Sequence, residues 1–297
     1  MPINKSDYVI ETDRVCRSFK DTLALNNFSL RVPRGSIYGF LGRNGSGKTT
    51  AIKILAGLIR PTSGAVEVLG RTPFEFTPED RRRIGYVSEK QILPGNFTVG
   101  KLIAFCAQFY PQWDHELVRR LIERFRINPK QRIAALSQGT QRQAAFIIAL
   151  AQRPELLILD EPASTLDVVA RREFLDEILA LIRQDGPTVL ISSHILSDIE
   201  RVADHIGILV DGTLKISEPL DELAETVKQI RFHSFSRPQE SLSVPGAFRT
   251  VRSEKEVLVT ARVKDEAIIT EAARNAGARY EIIDLPLEDI FVELSRR

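Results

Sequence analysis

From Gly42 to Thr50 the chain reads Gly-Arg-Asn-Gly-Ser-Gly-Lys-Thr-Thr, and no other stretch constrains the fold as tightly. It fits G-x-x-x-x-G-K-[ST], a pattern whose glycines let a tight loop turn its backbone N–H groups inward onto a phosphate. The apolar run Ser36 to Leu41 before it reads as a buried strand, and Thr50 to Leu58 after it as a helix. That order sets a phosphate at the positive end of the helix. Lys48 then reaches the β- and γ-phosphates as a point charge, and the Thr49 hydroxyl completes part of a Mg²⁺ shell. The expected nucleotide-binding set is therefore Gly42, Arg43, Asn44, Gly45, Ser46, Gly47, Lys48, Thr49 and Thr50.

Composition narrows what such a loop serves. With 297 residues and 43% hydrophobic content, the chain can bury one large core, or one core and a small second domain. Charged residues make up 27% and the net charge is only +2, which argues against nucleic acid as the main partner. The runs Arg81–Arg83 and Arg296–Arg297 read as solvated surface. Cys16 and Cys106 form no spaced metal or disulfide motif, as in a reducing cytosol. The first residues lack the apolar core of a signal peptide, and no stretch has the roughly 18 apolar residues needed to span a bilayer.

Along the chain, Val9 to Phe19 and Phe28 to Val32 alternate like exposed-face strands, and short strands follow at Ala65 to Leu69 and Ile84 to Val87. Between about residues 90 and 153 the period becomes helical, through Lys101–Phe109, Asp114–Phe125 and Gly139–Ala151. Apolar strands at Leu156–Leu159, Thr188–Ile191 and Ile206–Val210 then alternate with helices at Val169–Ile182 and Ile195–Val202. Such β–α alternation predicts a mostly parallel sheet covered on both faces. The fold class expected is α/β, with an antiparallel β-subdomain and an inserted helical subdomain. Residues 1–220 form the nucleotide-binding domain. Residues 221–297 form a small C-terminal α+β domain, with strands at Val257–Val263 and Tyr280–Asp284 and helices at Asp265–Ala276 and Leu287–Leu294. No internal repeat is present.

Leu156-Leu157-Ile158-Leu159-Asp160-Glu161 places two carboxylates at the end of a buried strand, where open α/β sheets bind ligands. Asp160 falls near the Mg²⁺ shell, and Glu161 is free to orient and deprotonate an attacking water.

With these motifs the chain resembles the ATP-binding subunit of ATP-binding cassette (ABC) transporters over about residues 8–218, a P-loop NTPase with a RecA-like core. Leu136-Ser137-Gln138-Gly139-Thr140-Gln141 is similar to the family's LSGGQ signature, with Gln138 and Thr140 departing from it. The resemblance implies ATP and Mg²⁺ as ligands, and a homodimer or a heterodimer with another ABC ATPase. In that dimer Ser137, Gln138, Gly139 and Thr140 of one subunit cover the γ-phosphate bound by the other. It further implies a γ-phosphate switch role for His194, a D-loop at Ser164-Thr165-Leu166-Asp167 with Asp167 linking the two sites, and an adenine-stacking role for Phe19. Lys48, Glu161 and His194 are the catalytic residues on this basis. Glu89 stands where many relatives carry a glutamine that meets the metal and the water, so the metal set is Thr49, Asp160 and Glu89.

The segment Phe97 to Asp114 and the ending Leu285 to Leu294 look like bacterial ABC-2-type ATPases. These imply a cytoplasmic ATPase held on the inner face of the cell membrane by a separately encoded permease and driving export, with Glu89–Val99 as the coupling surface. The alternative is a permease-independent ABC ATPase acting on ribosomes or nucleic acid; the single cassette, the lack of long coiled-coil insertions and the balanced charge speak against it.

Overall fold

Short apolar runs bounded by turns become the buried strands of this chain. The computed structural model describes residues 7–90, 92–182 and 186–294. The extreme N-terminus, Gln91 of the expected coupling surface, and Arg296–Arg297 lie outside the described residues. The chain divides into two compact units that meet between Ser217 and Glu218.

In the first unit an antiparallel sheet comes first. Its strands are β1 (Tyr8–Phe19), β2 (Thr22–Phe28), β3 (Arg31–Pro33) and, further along, β5 (Ser63–Val68), all paired with β1. The single strand expected over Phe28–Val32 is in fact two ends. β2 pairs with the last half of β1 and β3 with its first half. Between them the Thr12 hydroxyl donates to the Phe28 carbonyl at 3.3 Å and accepts from the Leu30 N–H at 2.7 Å. With the Thr12 N–H donating to the Leu30 carbonyl at 2.8 Å, the side chain thus supplements the backbone ladder where the chain changes partners.

The central sheet has six strands in the order β10 (Thr213–Pro219), β9 (His205–Val210), β4 (Ile37–Leu41), β8 (Thr188–Ser193), β7 (Leu156–Asp160), β6 (Ile84–Val87). β4 runs parallel to β8 and β9, and β7 runs parallel to β6 and β8. Every residue of β4, β7 and β8 is buried, which is why these strands read as continuous apolar runs rather than alternating ones. Their register lines up the C-terminal ends: Leu41 lies opposite Ser193, Asp160 opposite Ser192, and Val87 opposite Leu159. This is the α/β P-loop NTPase core expected from the sequence.

Helices complete the unit: α1 (Lys48–Leu55), α2 (Pro78–Arg82), α3 (Val99–Ala107), α4 (His115–Arg124), α5 (Gln138–Ala151), α6 (Val168–Ile182) and α7 (Leu196–Val202). α3 to α5 are inserted between β6 and β7. α5 is buried nearly all round rather than on one face. Phe146 on α5 meets Phe174 on α6 edge to face at 4.6 Å, with Phe125 at the end of α4 against both rings. Glu177 on α6 receives Arg120 at 2.7 Å and Arg124 at 3.3 Å from α4. Aromatic packing and a shared carboxylate therefore fasten the inserted helices to the core.

The second unit holds α8 (Leu220–Thr226), β11 (Val227–His233), β12 (Ala247–Arg252), β13 (Glu256–Arg262), α9 (Glu266–Ala276), β14 (Arg279–Asp284) and α10 (Leu287–Leu294). Its antiparallel sheet has the order β12-β13-β11-β14. Ile230, Phe232, Val257, Val259 and Ala261 pack on Ile269, Ala272, Ala273 and Ala276 of α9. Neither β11 nor β12 was expected. Charged residues interrupt both, and on β11 Arg231 forms ion pairs with Glu281 and Glu256 on neighbouring strands.

Candidate nucleotide site

The functional side chains gather at the aligned C-terminal strand ends. Beyond β4 the loop reaches Gly47, which has φ +107° and whose absent Cβ would lie 2.4 Å from the Ala24 carbonyl oxygen. Only glycine fits there. α1 starts at the next residue, and no side chain caps its first turn, so its N–H groups remain for an anion. Lys48 is buried: its Nζ donates to the Gly42 carbonyl at 2.6 Å and stands 3.7 Å from Glu161 Oε1. Burial pulls the Lys48 pKa down, while the charges of Glu161 and Asp160 push it back up.

At the end of β7, Asp160 is fully buried, and its Oδ1 accepts from the Ser192 hydroxyl at 2.7 Å. Its Oδ2 is buried with no hydrogen-bond partner. Burial raises the Asp160 pKa, and the Ser192 and Thr49 hydroxyls work against that rise. A buried carboxylate oxygen left over beside a hydroxyl is what a hard divalent cation satisfies. Among the described residues no group of three or more His, Cys, Asp or Glu is arranged to hold a metal. A sparse set of oxygen donors suits Mg²⁺, which usually keeps waters and phosphate oxygens beside one or two carboxylates.

Glu161 adopts the left-handed backbone conformation, with φ +49°. Its N–H donates to the Ser192 hydroxyl at 3.0 Å, and its Oε2 meets His194 Nδ1 at 2.7 Å. His194 itself is half-exposed. Lys48, Glu161 and His194 thus form a chain of contacts along one wall of a cleft of about 420 Å³. Thr49, Thr50, Arg43, Asn44, Gly45, Gly47, Glu89 and Ser164 also line it. Nucleophile activation, phosphate neutralisation and metal holding are therefore possible within one space. A larger hollow of about 650 Å³ opens elsewhere in the unit, beside Glu155 and Thr188 at the opposite strand ends. Its Asp114–Arg153 and Arg34–Glu155 ion pairs already satisfy one another.

Other expected residues lie outside the cleft lining. Phe19 is 43% exposed, with the Arg17 guanidinium 4.4 Å above its ring; Leu23 of β2, 51% exposed, lines the cleft. Ser137 caps α5, its hydroxyl accepting from the Thr140 N–H at 3.1 Å, and Ser137 and Gln138 face solvent. Gly139 is buried, with space for a Cβ closed by Leu166 at 2.9 Å. Asp167 Oδ1 caps the start of α6 through the Val169 and Ala170 N–H groups. Sequence reasoning missed Arg142, a buried cation on α5 that donates to the Glu161 carbonyl. The sequence carried little signal for it, because Arg142 stands between Gln141 and Gln143, ahead of the apolar stretch Ala144–Ala151.

The profile of the ABC transporter family matches residues 25–164. The bacitracin transport ATP-binding protein BcrA of Bacillus licheniformis is 36% identical over 217 residues, covering 72% of this chain and 71% of that protein. The chain belongs to the ABC transporter family. Similarity to another member, the Nod factor export ATP-binding protein I of Cupriavidus pinatubonensis, extends at 29% identity over 308 aligned residues, covering 100% of this chain and 94% of that one. Among solved structures, an ATP-binding subunit of an ABC transporter superposes with a TM-score of 0.66 at 27% identity, over 73% of this chain and 92% of its own. This ABC chain therefore shares the fold of that subunit over about three quarters of its length.

Proposed function

We propose that this chain binds ATP with Mg²⁺ in the cleft and hydrolyses it, powering a separately encoded membrane permease. The observation that carries the reading is the convergence of Lys48, Asp160, Glu161 and His194 at the ends of β4, β7 and β8. Lys48 and the first-turn N–H groups of α1 neutralise the phosphates. Glu161 accepts the proton of the attacking water, and His194, bonded to the same carboxylate, orients it toward the γ-phosphate. Thr49, Asp160 and Glu89 are the residues suited to hold Mg²⁺, which supplies charge neutralisation at the β- and γ-oxygens. The relatives' names, both ATP-binding proteins of transport systems, support ATP as the nucleotide and transport as the use.

The solvent-facing start of α5 supports a head-to-tail pair, in which Ser137, Gln138, Gly139 and Thr140 of a second copy or of another ABC ATPase close over the bound γ-phosphate. Val168 and Val169, 76% and 69% exposed beside Asp167, are apolar surface that such a pair covers. Phe105 and Phe109 are exposed and packed edge to face at 5.2 Å, with Phe97 against Phe105; Ile92, earlier in the chain, is exposed as well. In this reading they receive a cytoplasmic helix of an ABC-2-type permease, which places the chain on the inner face of the membrane. No described helix is long and apolar enough to cross a membrane, so the crossing belongs to the permease. Export is the direction, in keeping with the Nod factor relative.

Phosphate release by the chain co-purified with its permease tests the proposal. Glu161→Gln is expected to lower turnover by at least about a hundredfold while a fluorescent ATP analogue stays bound. Turnover equal to the parent's removes Glu161 as the base.

A further inference from the structure

Arg142 sits on α5, only 8% exposed, and makes no hydrogen bond to a carboxylate. Its Nη1 donates to the Glu161 carbonyl at 3.0 Å and to the Ser164 hydroxyl, and its Nη2 donates to the Glu89 carbonyl at 2.5 Å. One guanidinium fork therefore holds the main chain of both loops that carry cleft carboxylates, and the loop that follows Glu161. Burying an arginine against neutral acceptors is costly, and burial does pull its pKa down. The nearby Glu89, Glu161 and Asp160 charges offset that pull.

The geometry around Glu161 gives this expense a purpose. A left-handed backbone is strained for a non-glycine residue, and here it is held from both sides. The Glu161 N–H donates to Ser192 at 3.0 Å, and its carbonyl accepts from Arg142 and from the Ser164 hydroxyl at 3.1 Å. The same conformation is the one in which the side chain meets Lys48 with one oxygen and His194 with the other. Gly139, three residues before Arg142, packs so closely on Thr165 and Leu166 that α5 lies flush against the loop following Glu161.

We infer that Arg142 is a positioning residue for the hydrolytic step, locking the Glu161 main chain in its left-handed conformation and tying it to the Glu89 loop. The inference rests on the proposed role of Glu161 as base. Arg142 is not among the residues that line the cleft; it acts through the angle at which Glu161 is presented. Lysine keeps the charge but cannot reach all three acceptors, because it lacks the planar fork.

The test compares R142Q, R142K and E161Q in the full chain with its permease. It reads kcat and KM from phosphate release, dissociation of a fluorescent ATP analogue, and the thermal midpoint. R142Q is expected to lower kcat by about tenfold to a hundredfold, with KM and analogue affinity within about twofold of the parent and R142K recovering part of the loss. Parental kcat in R142Q overturns the inference, as does a fall in kcat matched by weaker nucleotide binding, which marks a merely structural arginine. Should R142Q not fold, R142K decides: lowered kcat at unchanged KM supports the role, and parental kcat overturns it. An inactive E161Q beside parental R142 variants defeats only this inference, whereas an E161Q that turns over ATP like the parent removes Glu161 as the base, and this inference with it.

Discussion

Glu161 shows how much of the chemistry at residue scale is set by backbone shape. Its left-handed conformation lets one buried carboxylate face a lysine and a histidine at once, at 3.7 Å and 2.7 Å. Glu89 is the other acid with a stake in the cleft, adding a negative charge close enough to act on Lys48. Because Asp160 Oδ2 lacks a partner and the Glu89 charge is close enough to act on Asp160, replacing Glu89 by glutamine removes a charge that favours a cation there. Glu89→Gln is therefore expected to raise the Mg²⁺ concentration for half-maximal ATPase several-fold. An unchanged Mg²⁺ titration of steady-state phosphate release takes Glu89 out of the metal set. The residues of this site were legible in the sequence where a motif is contiguous, as in Gly42–Thr50 and Asp160–Glu161. Leu23 and Arg142 were not, because the hairpin and the helix that carry them reach the cleft only through packing.

Among the elements, the central sheet does the assembling. β4, β7 and β8 run parallel with their ends in register, so three loops far apart in sequence open on one edge. The inserted helices reach that edge through α5, and α5 is held to α6 by the Phe125–Phe146–Phe174 cluster. Phe174 is 1% exposed, so truncating it empties the centre of that joint. Phe174→Ala is expected to destabilise the first unit by about 3–5 kcal/mol, read as a lower midpoint in urea unfolding followed by far-UV circular dichroism. A loss below about 1 kcal/mol is incompatible with that packing. Helices and buried strands of the first unit were readable because period and apolar runs are local properties. β2, β10, β11 and β12 were passed over, and on β11 the reason is visible: Arg231 is neutralised by Glu281 and Glu256 across the sheet. A pattern read along one strand does not see the strand beside it.

For the whole molecule, the two units own separate cores. The cluster around β1, β4 and α1 and the cluster around β11, β13 and α9 share no residue. The nucleotide cleft is lined wholly from the first unit. A chain ending after Pro219, which keeps β10 on the edge of the central sheet, is expected to fold and to bind a fluorescent ATP analogue within about threefold of full-length affinity. Loss of binding by this shortened chain in fluorescence titration shows that the second unit is required for the first.

The sequence alone determined the parts whose physics is local. A glycine loop between an apolar strand and a helix turns its N–H groups inward in a shape suited to phosphate, and carboxylates closing a buried strand lie at a sheet edge. Tertiary structure decided which of these parts meet. Only the strand order brings Asp160 against Ser192, 32 positions away, and only the docking of α5 delivers Arg142 to the main chain of Glu161 and Glu89, 19 and 53 positions away. Periodicity records the face a residue turns inward, and a buried hydrogen bond between distant loops depends on what packs against that face.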